Sequence, residues 1–162
     1  MIIHYMQDRD RALPLSPIPR KNWEIDAYPV NEIAEYVQDV SQGDIDVLVE
    51  EYYNKYDMIL DGRDPEESKK HVAVQAGIEI GFERFLEEKK YQAIVTHFGD
   101  LGSLEQLPGL AIQRLMEKGY GFGGEGDWKT AAMGIEAVYI DGDTTIRNLQ
   151  NELRWNSMYF SK

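Results

Sequence analysis

The sequence predicts helices and strands in alternation, and this order limits the chain to a few classes of fold. Asp64 to Glu67 is typical of a helix start, because a capping aspartate precedes a proline and a glutamate that reaches back. Tyr91 to Phe98 predicts a buried strand, Pro108 opens another helix, and Ile135 to Ile140 predicts a second strand. Strands linked by helices run parallel, so we expect a three-layer α/β fold with helices on both faces of a mainly parallel sheet.

Apolar residues at helical spacing predict the remaining helices. One follows Val30, with Asn31 as its N-cap, and a second follows the break at residues 41–43. The helix that starts at Asp64 carries a continuous apolar stripe. Its members are Val74, Ile78, Phe82, Phe85 and Leu86. By contrast, residues 1–22 show no sustained period and include three prolines, which predicts an extended or disordered lead-in.

Composition excludes several classes of function. The net charge of −12 argues against binding to nucleic acid, which needs clustered lysine and arginine. The chain has no cysteine, so disulfides and cysteine-based zinc sites are excluded. No apolar run approaches the ~20 residues of a membrane span, and the N-terminus does not resemble a signal peptide. A cytoplasmic protein is the default expectation.

Five glycines lie between Gly119 and Gly126, which predicts a loop that packs closely against a ligand or another chain. Glu125 stands at its centre, either as a metal ligand or proton-transfer group or as a solvated loop glutamate. The glycines match the dinucleotide fingerprint only formally, because they follow a helix instead of a strand. A P-loop is excluded as well, because Trp128 stands where that motif needs glycine before Lys129.

The histidines are further candidate site residues. His4 and His71 are interpreted as solvated, whereas His97 ends a predicted parallel strand, where ligands of α/β folds gather. That position also suits a histidine satisfied by the backbone. A metal site is conceivable by ligand type from His97, Asp100, Glu125 and Asp127, although spacing does not establish it. Trp128 and Trp155 are interpreted as core or interface anchors.

Three segments closely resemble the bacterial L-arabinose isomerases: Gln106 to Leu110, Gln113 to Met116, and Gly119 to Ala132, which ends in GEGDWKTAA. Weaker similarity reaches back to Trp23. Residues 133–162 resemble the extreme C-terminus of the family as a strand, helix and tail. The resemblance implies that residues 23–132 are the middle domain and that residues 1–22 match nothing. It also implies that the first domain and most of the last are missing.

The resemblance implies a reaction as well. The family converts an aldose to a ketose, L-arabinose to L-ribulose, through an enediol and with a divalent metal, usually manganese. Glu125 matches one of its two metal-binding glutamates and would be both a catalytic residue and a metal ligand. Phe98 matches a phenylalanine that lines the sugar pocket. The motifs that carry the second glutamate and the two histidine ligands are absent, so the implied Mn²⁺ site is incomplete.

These observations support three hypotheses. The first is a shortened L-arabinose isomerase with negligible activity of its own. The second is a non-catalytic α/β module that associates with a full-length isomerase or with itself, through surfaces left uncovered by the missing domains. The third is a small metal-binding enzyme that uses His97, Asp100 and Glu125 in a new arrangement.

Overall fold

A computed structural model describes residues 2–4, 25–60, 62–97, 99, 101–132 and 134. Within these residues, four strands form one parallel sheet in the order β2-β1-β3-β4. The strands are β1 (Ile2–His4), β2 (Ile25–Ala27), β3 (Ala93–Thr96) and β4 (Gly121–Gly124). The helices are α1 (Val30–Gln38), α2 (Gln42–Lys55), α3 (Pro65–Lys89) and α4 (Gly109–Glu117). No helix of this described part is long and apolar enough to cross a membrane.

The strand order brings the carboxyl ends of all four strands to one edge. β1 pairs with β2 on one side and with β3 on the other, and β3 pairs in turn with β4. The chain therefore moves outward from β1 to β2, crosses back to β3 and continues to β4. In sheets of this kind, ligands bind outside the carboxyl ends of the strands, where the order reverses. The predicted parallel sheet is confirmed.

Three strands lie where the sequence predicts no regular element, and β2 (Ile25–Ala27) is one of them. Ile2–His4 forms β1 inside the segment expected to be an extended or disordered lead-in. Three residues are too few for an alternating pattern to be recognised, and their pairing partners lie far along the chain. The prediction of a loop at Gly121–Gly124 is wrong, because these residues form β4. Pairing with β3 holds this strand in place despite the low strand propensity of glycine.

Several predictions concern residues outside the described ranges. They include the second predicted strand, Ile135 to Ile140, and the strand, helix and tail assigned to residues 133–162. Phe98, Asp100 and Trp155 also lie outside the described residues. These assignments stay predictions.

A side-chain cap marks the start of α3, whereas α1 begins without one. Asp64 accepts a hydrogen bond from the backbone N–H of Glu67 at 2.9 Å, which confirms the predicted cap of α3. The predicted cap of α1 is wrong, because α1 begins at Val30 and Asn31 lies within its first turn. Asn31 Oδ1 instead accepts the backbone N–H of Ser103 at 3.0 Å. This side chain therefore ties α1 to the loop that follows β3.

Apolar side chains pack on both faces of the sheet. On one face, Ile94 of β3 and Phe122 of β4 join the core formed with α1, α3 and α4. On the other face, Ala93 and Val95 pack against a helical segment at residues 128–132, where Trp128 is half-buried. Alternate residues of β3 thus face opposite layers. The predicted three-layer arrangement is confirmed. The stripe of α3 lies in the first core, with Ile78, Phe82, Phe85 and Leu86 buried and Val74 packed against them.

A buried carboxylate, Glu79 of α3, links three helices. Its side chain is 0% exposed and lies 3.1 Å from Arg114 Nε of α4 and 2.9 Å from Lys118 Nζ. The hydroxyl of Tyr52, on α2, donates to Glu79 at 2.5 Å. Burial and this hydrogen bond raise the pKa of Tyr52 well above its ordinary value. These contacts, here called the Glu79 network, also include the exposed carboxylate of Glu51, 2.6 Å from Arg114.

Candidate functional site at the carboxyl edge of the sheet

The register of β3 and β4 brings two candidate residues together. Thr96 at the end of β3 pairs with Gly124 at the end of β4. His97 follows directly after β3, and Glu125 follows directly after β4. Because neighbouring strands lie about 4.8 Å apart, residues at equal positions beyond two parallel strands are close neighbours. The pairing therefore defines a site at the carboxyl edge, made from a histidine and a glutamate separated by 27 positions in the sequence.

α4 sets the position of β4 and therefore of Glu125. Its N-terminus is capped by Gln75 of α3, whose Oε1 accepts the backbone N–H groups of Leu110 and Ala111 at 3.1 and 3.3 Å. Its other end leads after three residues into Gly121, whose N–H donates to the carbonyl of Gln92 at 2.9 Å. Together with the Glu79 network, these bonds anchor α4 at both ends, so that β4 begins at a fixed point.

The two side chains meet within reach of solvent. His97 Nε2 lies 3.5 Å from Glu125 Oε2, and the two side chains are 46% and 55% exposed. The other ring nitrogen, His97 Nδ1, accepts the backbone N–H of Gly99 at 3.1 Å. A ligand in the crevice can therefore reach the carboxylate while the imidazole is held from behind by the chain.

Glu125 has a strained backbone. Its φ of 54° lies in the left-handed region, as does the φ of 81° at Gly126. Such a conformation at a residue other than glycine costs of order 1–3 kcal/mol and persists only where its surroundings impose it. Here two backbone hydrogen bonds impose it. The N–H of Gly126 donates to the carbonyl of Thr96 at 3.3 Å, and the N–H of Asp127 donates to the carbonyl of Gly124 at 3.0 Å. The strain coincides with the candidate functional carboxylate.

Asp127 is a helix cap. Its carboxylate accepts the backbone N–H of Thr130 at 3.0 Å and the Thr130 hydroxyl at 2.5 Å. The segment at residues 128–132 begins immediately after it. A Cβ on Gly123 would collide with the Asp127 carbonyl oxygen, so glycine is required where the turn closes on β4. We assign Asp127 a structural role at this turn.

Thr96 adds a buried polar group at the same edge. It is 1% exposed, and its Oγ1 has no hydrogen-bond partner within the described residues. By strand alternation its side chain lies on the same face as Ile94. A buried hydroxyl of this kind is normally paired, which marks this edge as a place where a further polar group belongs.

The candidate metal ligands come together only in part within the described residues. The part of the chain that the structure describes contains no group of three or more His, Asp or Glu side chains placed to hold a metal. His97 and Glu125 meet, Asp127 caps a helix, and the fourth candidate, Asp100, lies outside the described ranges together with Phe98. A manganese site therefore requires ligands beyond those described here.

The sequence reasoning missed the Glu79 network. Arg114 lies in α4 between Ala111 and Leu115, on the buried face of the helix, and is only 5% exposed. Hydrogen bonds to Tyr56 and Glu51 and the charge of Glu79 raise the pKa of Arg114, although burial opposes them. A charged residue at a core position of an amphipathic helix was the available signal, because such a charge needs a buried partner.

The fold and this edge define a class, a small parallel α/β domain that presents a half-exposed carboxylate beside a histidine. A family model described as the L-arabinose isomerase central domain matches residues 19–141, which contain both side chains. Because this match covers more than half of the sequence, the chain belongs to the L-arabinose isomerase family. The resemblance seen in the GEGDWKTAA motif is confirmed.

Individual relatives agree with this assignment. The chain is 43% identical over 124 residues to the L-arabinose isomerase of Geobacillus kaustophilus, a match that covers 76% of this chain and 25% of that protein. It is 45% identical over 121 residues to the enzyme of Serratia proteamaculans, with 74% and 24% covered. For L-arabinose isomerase 1 of Clostridium acetobutylicum the identity is 47% over 111 residues, with 68% and 23% covered. The chain spans about a quarter of the length of these relatives.

Proposed function

We propose that this chain contributes the central-domain part of a sugar isomerase site that acts on L-arabinose or a related aldose. The observation that carries the proposal is the placement of Glu125, a half-exposed carboxylate in a left-handed conformation at the ligand-binding edge of the sheet. The relatives support the substrate class, since those compared are named L-arabinose isomerases. Phe98, which follows β3 after His97, is proposed to line the sugar pocket.

Glu125 suits the chemistry of an aldose–ketose isomerase. Such a reaction moves a hydrogen between neighbouring carbons through an enediol, and a positioned carboxylate can transfer the proton. Exposure of about half of its side chain leaves the carboxylate accessible to a polyol. Manganese is the cofactor implied by the family. We propose Glu125 as one of its ligands, with the remaining ligands supplied from outside the described residues.

The first test uses the purified chain. Incubation with L-arabinose and Mn²⁺ is expected to form no L-ribulose above a protein-free control, because the described residues offer a single pair of candidate groups. Clear ribulose formation that is lost in Glu125→Gln would show that this chain completes the site with its own residues. It would contradict the incompleteness that we propose.

The second test supplies the rest of the site. Residues 19–141 replace the corresponding segment of the Geobacillus kaustophilus relative, and ribulose formation is followed with Mn²⁺ present. We expect turnover in the chimera and its loss in the same chimera carrying Glu125→Gln. The exposed Glu105→Gln serves as a matched control and should retain activity. A folded chimera without activity, or one indifferent to Glu125→Gln, would contradict the proposal.

A second candidate function is association without catalysis. Four large hydrophobic side chains are exposed on the described part, and the two most exposed are Ile59 at 88% and Val47 on α2 at 70%. Such side chains favour contact with a full-length isomerase or with another copy of this chain. Co-expression with an intact isomerase followed by size-exclusion chromatography tests this. Co-elution that is lost in Ile59→Ser supports association, and separate elution with a monomeric mass excludes it.

A further inference from the structure

We propose that His97 is a positioning residue that orients the Glu125 carboxylate by presenting an Nε2–H group to it. The inference deepens the proposed function and rests on it for its role in catalysis. The contact itself is a separate claim, which can be tested in the chain as it stands. Three observations carry it: the bond behind the imidazole ring, the close fit of the ring on Gly99, and the left-handed backbone of Glu125.

The bond behind the ring determines which nitrogen carries the hydrogen. The backbone N–H of Gly99 points at His97 Nδ1 over 3.1 Å, and a backbone N–H can only donate. Nδ1 therefore carries a lone pair, and the neutral ring carries its hydrogen on Nε2. Nε2 is the atom that lies 3.5 Å from Glu125 Oε2. The ring therefore turns its N–H group towards the carboxylate, across a distance longer than an ordinary hydrogen bond.

Gly99 also fixes where the ring lies. A Cβ at position 99 would come within 2.8 Å of His97 Cε1 and 3.1 Å of His97 Nδ1. Any side chain larger than hydrogen would push the imidazole out of its place above the backbone. Glycine at this position therefore leaves room for the ring, whose Nε2 lies 3.5 Å from Glu125 Oε2.

The other half of the contact is fixed from β4. Glu125 can meet His97 because its left-handed backbone turns the chain immediately after Gly124. The turn is held by the N–H of Gly126 on the carbonyl of Thr96, the residue that precedes His97. The positions of His97 and Glu125 therefore both depend on how the ends of β3 and β4 are held together. A ligand carboxylate held by a neighbouring hydrogen-bond donor is a common arrangement, and loss of the donor typically weakens metal binding 10- to 100-fold.

This arrangement assigns His97 a different role from that of a metal ligand. A metal bound at Nε2 would need the lone pair there and the hydrogen on Nδ1, which would set two N–H groups against each other at Gly99. The hypothesis of a metal enzyme that uses His97 as a ligand is therefore disfavoured by the Gly99 contact. The carboxylate of Glu125 remains the group offered to a ligand, and His97 holds it in one orientation.

The test is an NMR experiment on the full chain labelled with ¹³C and ¹⁵N. Long-range proton–nitrogen correlations report the tautomer of each of the three histidines, and His97→Gln identifies the signals of His97. We expect the Nε2–H tautomer at a pH where the ring is neutral. We also expect Glu125→Gln to shift the His97 Nε2 resonance and to leave the resonances of His71 unchanged.

Side-chain couplings of Glu125 then separate positioning from a general structural role. The wild-type chain should show a single χ1 rotamer for Glu125, His97→Ala should show averaged couplings, and His97→Gln should restore the single rotamer through its amide N–H. Thermal unfolding of each variant confirms that it is folded. An Nδ1–H tautomer, or unchanged Glu125 couplings in a folded His97→Ala chain, would overturn the proposal.

The chimera links this contact to function. There, His97→Ala should weaken Mn²⁺ binding 10- to 100-fold, measured by electron paramagnetic resonance of the free ion, and His97→Gln should recover most of the affinity. Unchanged affinity in His97→Ala would remove the functional part of the inference. An inactive chimera with the NMR contact intact would instead count against the proposed function alone, so the two failures are distinguishable.

Discussion

The molecule holds two charged clusters that have the same chemistry and opposite surroundings. In the Glu79 network, a fully buried carboxylate is surrounded by Arg114, Lys118 and the Tyr52 hydroxyl. At the sheet edge, the half-exposed Glu125 faces His97 at 3.5 Å on a strained backbone. A buried charge needs every partner it has, whereas an accessible charge on a strained turn is suited to bind something else. Burial and backbone strain, more than residue type, separate the structural acid from the candidate functional one.

The largest expected effect comes from removing the buried acid. Glu79→Ala leaves Arg114 without its main buried counter-charge, and breaking a buried pair in this way costs about 3–5 kcal/mol. We expect a loss of this size in the free energy of unfolding, measured by urea denaturation. The matched control is Glu51→Ala, which removes an exposed carboxylate from the same Arg114 and should cost no more than about 1 kcal/mol. Equal losses in the two variants would contradict the distinction between buried and exposed acids.

The second prediction concerns the packing of the helix layer that contains this network. A Cβ on Gly81 of α3 would lie 2.6 Å from the Cα of Val37, so the backbones of α1 and α3 are in close contact at this glycine. Gly81→Ala should therefore cost about 1–3 kcal/mol, as overpacking of a core does. Gly77→Ala on the same helix is the control. Its Cβ would meet Ile45 Cδ1 at 3.5 Å, so the higher helix propensity of alanine should dominate. Urea denaturation of both variants should give changes of opposite sign, and similar losses would contradict the prediction.

Much of this helix layer follows from the sequence, because it is specified by local signals. The cap at Asp64 and the stripe of α3 depend on spacings within one helix, and both are confirmed. β1, β2 and β4 escape prediction because each is held by pairing with distant strands, which no local pattern records. The sequence predicts Asn31 as a cap because the distant Ser103, whose backbone N–H donates to Asn31 Oδ1 in the fold, cannot be recognised locally.

For the candidate site as well, the sequence indicates the residues but not the contact between them. His97 and Glu125 were singled out by their positions at a strand end and in the GEGDWKTAA motif. Their contact, by contrast, depends on the register of β3 and β4 and on the φ of Glu125, neither of which is written in neighbouring residues. The loop prediction is wrong at Gly121–Gly124 for the same reason, because the low strand propensity of glycine does not record the pairing with β3.

A third prediction uses alkaline pH to test how strongly the buried network is coupled to folding. Burial raises the pKa of Tyr52 above the ordinary value of 10.0. Above pH 10 the unfolded chain loses this proton while the folded chain keeps it, so the unfolded state binds fewer protons and stability falls as pH rises. Below pH 10 the contribution is fully present. Urea denaturation from pH 8 to 11 should show this fall, with a shallower slope in Tyr52→Phe. Equal slopes in the two proteins would show that Tyr52 does not contribute to the pH dependence of stability.

The smallest expected effect lies at the edge, where stability and function should oppose each other. Glycine adopts the left-handed φ of Glu125 freely, which removes a penalty of about 1–2 kcal/mol, while its greater freedom in the unfolded chain offsets about 0.5–1 kcal/mol. Glu125→Gly should therefore leave the free energy of unfolding unchanged or raise it by up to about 1.5 kcal/mol, measured by urea denaturation. Glu125→Ala keeps the strain and should not gain. A clear loss of stability in Glu125→Gly would mean that the carboxylate supports the fold, as Glu79 does, and the contrast between the two acids would fail.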